Sequence, residues 1–127
     1  MNADDLKKRT KRFALRILKL VAALPNTVQG RTIGGQLARA GTSVGSNYRS
    51  ACRGRSRAEF IAKLGIVIEE ADVSAFWLEL IIEGKFLKPN LVQPLLDEAN
   101  ELTSIMTKSH MTASSRLRIL RTPKSKK

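Results

Sequence analysis

The sequence predicts an all-α fold: an antiparallel up-down four-helix bundle followed by a basic C-terminal tail. Three observations predict it. Apolar residues recur at helical spacing through four segments, and no segment shows the period-2 alternation of a strand. Short links carrying Gly or Pro separate the segments, which favours antiparallel neighbours. The 127 residues suit one domain large enough to bury a core. We place the bundle at residues 1–111 and the tail at residues 112–127. No internal repeat is visible.

The first helix begins at Asp4 or Asp5, either of which can cap it, and runs to Leu24 before Pro25. Leu6, Phe13, Ile17, Leu20, Val21 and Leu24 fall within about 100° of arc, one buried face. Lys8, Arg9, Arg12, Arg16 and Lys19 occupy another. The second helix covers Thr32 to Cys52, with Ile33, Leu37, Ala40, Val44, Tyr48 and Ala51 on its apolar stripe. Gly34, Gly35, Gly41 and Gly45 weaken it by up to ~1 kcal/mol each relative to Ala, and they allow a neighbouring backbone to approach closely.

The third helix starts at a capping box, Ser56 with Glu59, and runs to Glu83 before Gly84, a natural residue for a helix end. Lys88-Pro89-Asn90 makes the next turn, and Asn90 with Gln93 repeats the capping-box spacing. Pro94 then falls in the first turn of a fourth helix, which presents Leu91, Leu95, Ala99, Leu102, Ile105 and Met106. After His110 the periodicity dissolves into Ser, Thr, Arg and Lys. We read Thr112–Lys127 as a mobile basic tail, able to form a short helix around Arg116–Arg121 on binding.

The third helix carries more apolar surface than one buried face needs. Phe60, Leu64, Val67, Ile68, Ala71, Ala75, Leu78, Ile81 and Ile82 form the core stripe, whereas Ile66, Val73, Trp77 and Leu80 lie within about 60° on another face. That second stripe either covers the bundle end or forms a subunit interface, since an exposed patch of this kind is a liability on a monomer. Glu69, Asp72, Glu79 and Glu83 line a polar strip beside it.

Charge is segregated. Leu6 to Ala58 holds thirteen Lys and Arg and no acid. Glu59 to Glu101 carries nine acids against three bases, and Leu102 onward has seven bases and no acid. The net charge is +12. Polyanions are the first partner such a footprint suggests. Candidate phosphate contacts are Arg12, Arg16 and Lys19 on the first helix, and Arg31, Arg39, Arg49 and Arg53 on one face of the second. Arg55 and Arg57 add to them in the turn, and Arg116, Arg118, Arg121, Lys124, Lys126 and Lys127 in the tail. Two other fates compete: a solvated face, and pairing with the acids of the third and fourth helices or of another subunit.

Other chemistries lack material. His110 is the only histidine, so a zinc site or a His-based triad is not expected. The glycines match no phosphate-loop pattern, and neighbouring Glu69 and Glu70 diverge on one helix. Ser43, Ser46 and Asn47 suit hydrogen bonding at a helix crossing. Cys52 allows no internal disulfide, which suits a reducing cytoplasm, and its role is that of a small hydrophobe. No apolar run is long enough to span a membrane. Six aromatic residues are too few for a stacking platform. We expect no catalytic residues, metal or cofactor.

The run TSVGSNYRSACRGRSRAEFIAKLGIVIEEADVSAFWLELII, residues 42–82, resembles a known family. Its Ser43-Val44-Gly45-Ser46-Asn47 segment, the Arg-rich turn before Glu59-Phe60, Glu69-Glu70-Ala71 and Trp77-Leu78-Glu79-Leu80 are similar to the four-helix-bundle proteins encoded in intervening sequences of bacterial large-subunit ribosomal RNA genes. Helix order and Leu24-Pro25 extend the likeness to most of residues 6–106. The resemblance implies a ring-like homopentamer without enzymatic activity. It also implies a distant relation to the accessory protein of diversity-generating retroelements, which binds nucleic acid and a reverse transcriptase. Ile68 and Val73 stand where relatives often carry acids, and Phe76 where Tyr is common, so no ion pair is expected at those positions. The expected function is therefore non-enzymatic, oligomeric nucleic-acid binding in the cytoplasm, with RNA preferred through the resemblance. The alternative is a scaffold docking an acidic protein or a polymerase.

Overall fold

The computed structural model describes residues 1–121 and is a four-helix bundle: α1 (Ala3–Ala22), α2 (Val28–Cys52), α3 (Arg57–Glu83) and α4 (Pro89–Arg121). No strand occurs among the described residues. Each helix packs on its neighbour in sequence, and α4 closes back on α1. The backbones of the diagonal pairs, α1 with α3 and α2 with α4, do not approach closely. The starts of α1 and α3 therefore share one end of the bundle with the ends of α2 and α4.

The helix starts follow hydrogen-bonding chemistry that pattern alone placed loosely. Asn2 caps α1, not Asp4 or Asp5. Its Oδ1 accepts the Asp5 N–H at 2.8 Å, and its own N–H donates to the Asp5 carboxylate at 3.3 Å. Asp4 and Asp5 instead fall in the first turn, where acids favour the helix dipole. Thr27 caps α2, accepting the Gly30 N–H at 3.0 Å, so the helix begins at Val28 rather than Thr32. Ser56 caps α3 as expected, accepting the Glu59 N–H at 3.1 Å.

Gly84 ends α3 for a reason other than left-handed backbone. Its φ is −79°, and the positive φ belongs to Lys85 at 57°. A Cβ on Gly84 would lie 2.5 Å from the Phe86 ring, so space selects the glycine. Pro89 opens α4 at the first helical position, where its missing N–H costs nothing. Asn90 is not the cap, and Gln93 donates to Asp97 at 2.8 Å instead. Pro94 consequently sits inside the helix, beyond its first turn.

The largest departure is at the C-terminal side. α4 does not stop near His110 but continues to Arg121. Ala113, Leu117 and Leu120 keep the helical spacing from Met106, and no Gly or Pro intervenes before Pro123. Ala113 is buried.

The expected core residues of α1, α2 and α3 are buried or packed against the core. On α4, Val92 and Leu96 join Leu95, Ala99, Leu102 and Met106 inside, while Leu91 is 55% exposed. Leu91 lines a cleft of about 420 Å³ beside Arg16, Lys19 and Leu20. Among the described residues Thr10 and Ser74 are the buried polar ones, and each hydroxyl donates to its own helix backbone at 2.8 Å.

Candidate nucleic-acid interface

The basic side chains are held outward by the same periodicity that buries the core. Arg12 and Lys19 are exposed on α1, with Arg16 half-buried beside them. Arg31, Arg39 and Arg49 are exposed on α2, and Arg53, Arg55 and Arg57 are exposed around the turn into α3. Arg116, Arg118 and Arg121 are exposed on the last turns of α4. Lys124, Lys126 and Lys127 lie outside the described residues.

Topology brings some of these together and separates others. Arg49, Arg53, Arg55, Arg57, Arg116 and Arg121 gather at the end where α2 finishes and α3 begins. Lys7 and Lys11 of α1, which the sequence reading did not single out, reach the same region: with Arg49 they line a small groove between α1 and α2. Their i,i+4 spacing was the available signal. Lys19 and Arg31 lie at the opposite end, where Arg31 donates to the Asn26 side chain at 2.9 Å. Arg12, Arg16 and Arg39 lie along the sides.

The α1–α2 groove exists because glycines face α1. A Cβ at Gly41 would approach Ile17 to 2.8 Å, and one at Gly45 would lie 3.3 Å from the Thr10 carbonyl oxygen. The close approach expected of these small residues is therefore real. Ser46 and Asn47 do not bond across it. Both donate to the Ser43 carbonyl of their own helix, Asn47 at 2.9 Å and Ser46 at 3.4 Å.

Pairing consumes little of the charge. Arg9 holds Glu98 through two bonds of 2.7 Å and Glu101 at 3.0 Å, joining α1 to α4. The hydrogen bond to Glu98 is the main reason its guanidinium pKa rises further above the ordinary arginine value. Lys7 lies 3.9 Å from Asp4. Arg12, Arg16, Lys19, Arg31, Arg39, Arg49, Arg53, Arg55 and Arg57 make no ion pair among the described residues. Neither do the exposed acids Glu69, Asp72, Glu79 and Glu83 of α3.

The second apolar stripe of α3 divides. Ile66 and Val73 are exposed. Trp77 and Leu80 are half-buried, with Trp77 packed against the core. Phe76 takes the open position at 52% exposure, its ring edge-on to Trp77 with centroids 5.3 Å apart. On the diagonal helix, Leu15 and Leu18 are also exposed, between the lysines and arginines of α1.

His110 is half-buried, with Nδ1 3.5 Å from the Ser114 hydroxyl. Burial, and then a hydrogen bond with Cys52, push the Tyr48 phenol pKa up. Among the described residues no His, Cys, Asp or Glu cluster has metal-binding geometry, and no helix is long and apolar enough to cross a membrane.

A crystal structure of a protein with unknown function, from the S23 ribosomal protein family of Bacteroides thetaiotaomicron, is similar throughout. It has 31% sequence identity and a TM-score of 0.80, over 87% of this chain and 99% of that one. No curated protein matches the chain. Residues 4–108, nearly the whole bundle, match the family described as 23S rRNA-intervening sequence protein. With bundle, helix order and the arginine turn all in place, the chain belongs to the 23S rRNA-intervening sequence protein family.

Proposed function

We propose that this is a non-enzymatic, self-associating nucleic-acid-binding protein, with RNA as its expected ligand. One observation carries the reading: eleven of the thirteen bases on α1, α2 and the following turn make no ion pair among the described residues, although nine acids follow them in sequence. A merely solvated surface mixes signs for local pairing. Phosphate contacts made by these side chains need no base-edge geometry, so little sequence selectivity is expected. The family's name, tied to intervening sequences of ribosomal RNA, favours RNA over DNA. Self-association multiplies modest contacts by avidity.

Titration of a structured RNA and a duplex DNA across a salt series tests the proposal. Affinity should fall linearly in log–log form, with a slope of roughly 0.7–0.9 per phosphate contacted. Absence of binding at about 50–100 mM salt, or a salt-independent signal, rejects it.

A second reading, docking of an acidic protein partner, draws on Leu15 and Leu18. Phosphates have no use for leucines among lysines, whereas a protein surface does. Co-purification that survives nuclease treatment favours this second reading.

A further inference from the structure

The continuation of α4 past His110 builds a cleft absent from any reading of the sequence. It has a volume of about 690 Å³ and lies between the α2–α3 turn and the last turns of α4. Arg55 and Arg57 line one side, Lys108 and Arg116 the other. No acid lines it, and none of these four cations makes an ion pair among the described residues. Its size is that of a small-ligand site rather than of a duplex groove.

Two further features fit the chemistry of a phosphate chain. The cleft takes in the start of α3, where Ser56 accepts the Glu59 N–H; the N–H groups of Arg57 and Ala58 are among those a helix start leaves without an intrahelical acceptor. Phe60, half-buried, adds an aromatic surface to the same wall. Gly54 keeps the turn tight enough for this: a Cβ there would lie 3.3 Å from the Phe60 nitrogen.

We propose that the cleft binds the 5′-polyphosphate of a nucleotide. Four unpaired cations lining one cleft match roughly four negative charges better than the single charge of a phosphodiester. Phe60 offers an apolar surface to the attached nucleoside. The nucleotide is either the 5′ end of an RNA strand or a free nucleoside triphosphate. The RNA source rests on the nucleic-acid reading above; the cleft's chemistry does not.

Calorimetric titration of the full chain with inorganic tripolyphosphate, ATP, and one RNA oligonucleotide carrying either a 5′-triphosphate or a 5′-hydroxyl tests this. The cleft variant is Arg57→Gln with Lys108→Gln; the control is Lys85→Gln with Lys88→Gln in the turn between α3 and α4, two bases outside every candidate contact surface. All four positions are exposed, and a melting curve for each variant checks the fold. The expected result is tripolyphosphate binding that weakens by about tenfold or more in the cleft variant and stays unchanged in the control. If RNA is the source, the 5′-triphosphate oligonucleotide outbinds its 5′-hydroxyl twin, and the advantage vanishes in the cleft variant.

Tripolyphosphate that does not bind, or that is lost equally in both variants, overturns the cleft proposal. In that case retained binding of the 5′-hydroxyl RNA leaves the nucleic-acid reading standing. Conversely, cleft-dependent binding of tripolyphosphate and ATP without any RNA binding keeps the cleft, with a free nucleotide as its ligand, and removes the nucleic-acid reading.

Discussion

A methyl group at Gly30 would collide with the Pro25 carbonyl, whereas at Gly35 or Gly65 it would meet nothing within 4 Å. One residue type thus has opposite roles on neighbouring turns. Gly34, Gly41 and Gly45 face α1 and set the distance between the first two helices, while Gly30 packs against the turn that joins them. Gly35 is exposed on α2, and Gly65 lies in α3 with open space beside it; each carries only the entropic cost of glycine in a helix. Gly30→Ala should therefore destabilise the bundle by about 2 kcal/mol or more through overpacking. Gly35→Ala and Gly65→Ala should each stabilise it by about 0.5–1 kcal/mol. Chemical denaturation of the three variants checks this; equal effects at Gly30 and Gly35 would contradict the packing role. The sequence showed that glycines were clustered, but not which of them faced a neighbour, because that depends on where α1 crosses α2.

At the scale of elements, α1 and α4 form the loosest pair, and Arg9 bridges it. Arg9 and Glu98 are both largely covered, at 21% and 15% side-chain exposure, so removing one leaves the other poorly solvated. Arg9→Met should cost about 1–3 kcal/mol. Restoring a neutral pair with Glu98→Gln in the same chain should recover part of it. A double-mutant cycle by urea denaturation measures the coupling; additive losses would mean the two residues act separately. This contact was not legible in the sequence, where Arg9 is one of thirteen bases in an acid-free block and Glu98 lies 89 residues away. The fold itself was legible, because core stripes and turn residues are local signals. Helix α4 shows the boundary of that legibility. A polar, basic composition after His110 resembles an unstructured tail, yet residues 112–121 retain helical spacing and no breaker. The cleft that this extension completes was hidden for the same reason, although three of its four cations were already candidates and only Lys108 was not.

On the whole molecule, two outward faces on diagonal corners carry matching patterns. Along α1, Lys8, Lys11, Leu15, Leu18 and Ala22 recur with the alternating three- and four-residue steps of a coiled-coil seam. Along α3, Ala62, Ile66, Glu69, Val73, Phe76 and Leu80 do the same. The first face is flanked by unpaired bases and the second by unpaired acids. Apolar seams of opposite charge suit each other, so α1 of one copy is expected to dock on α3 of the next. Because the faces lie on opposite corners, one partner cannot satisfy both, and the expected contact is head-to-tail. Such contacts close into rings or run into filaments, and they do not stop at a two-fold dimer. Docking would neutralise the acids of α3 while leaving the arginine turn and the end of α4 open, which concentrates positive charge on the assembly. Leu18→Asp spoils only the α1 face, and Phe76→Asp only the α3 face; both positions are exposed, so neither change disturbs the core. Light scattering should find each variant monomeric at micromolar concentration. Their mixture should form a one-to-one dimer, since the intact α1 face of one fits the intact α3 face of the other. A wild-type monomer, or a mixture that stays monomeric, would refute head-to-tail docking through these helices.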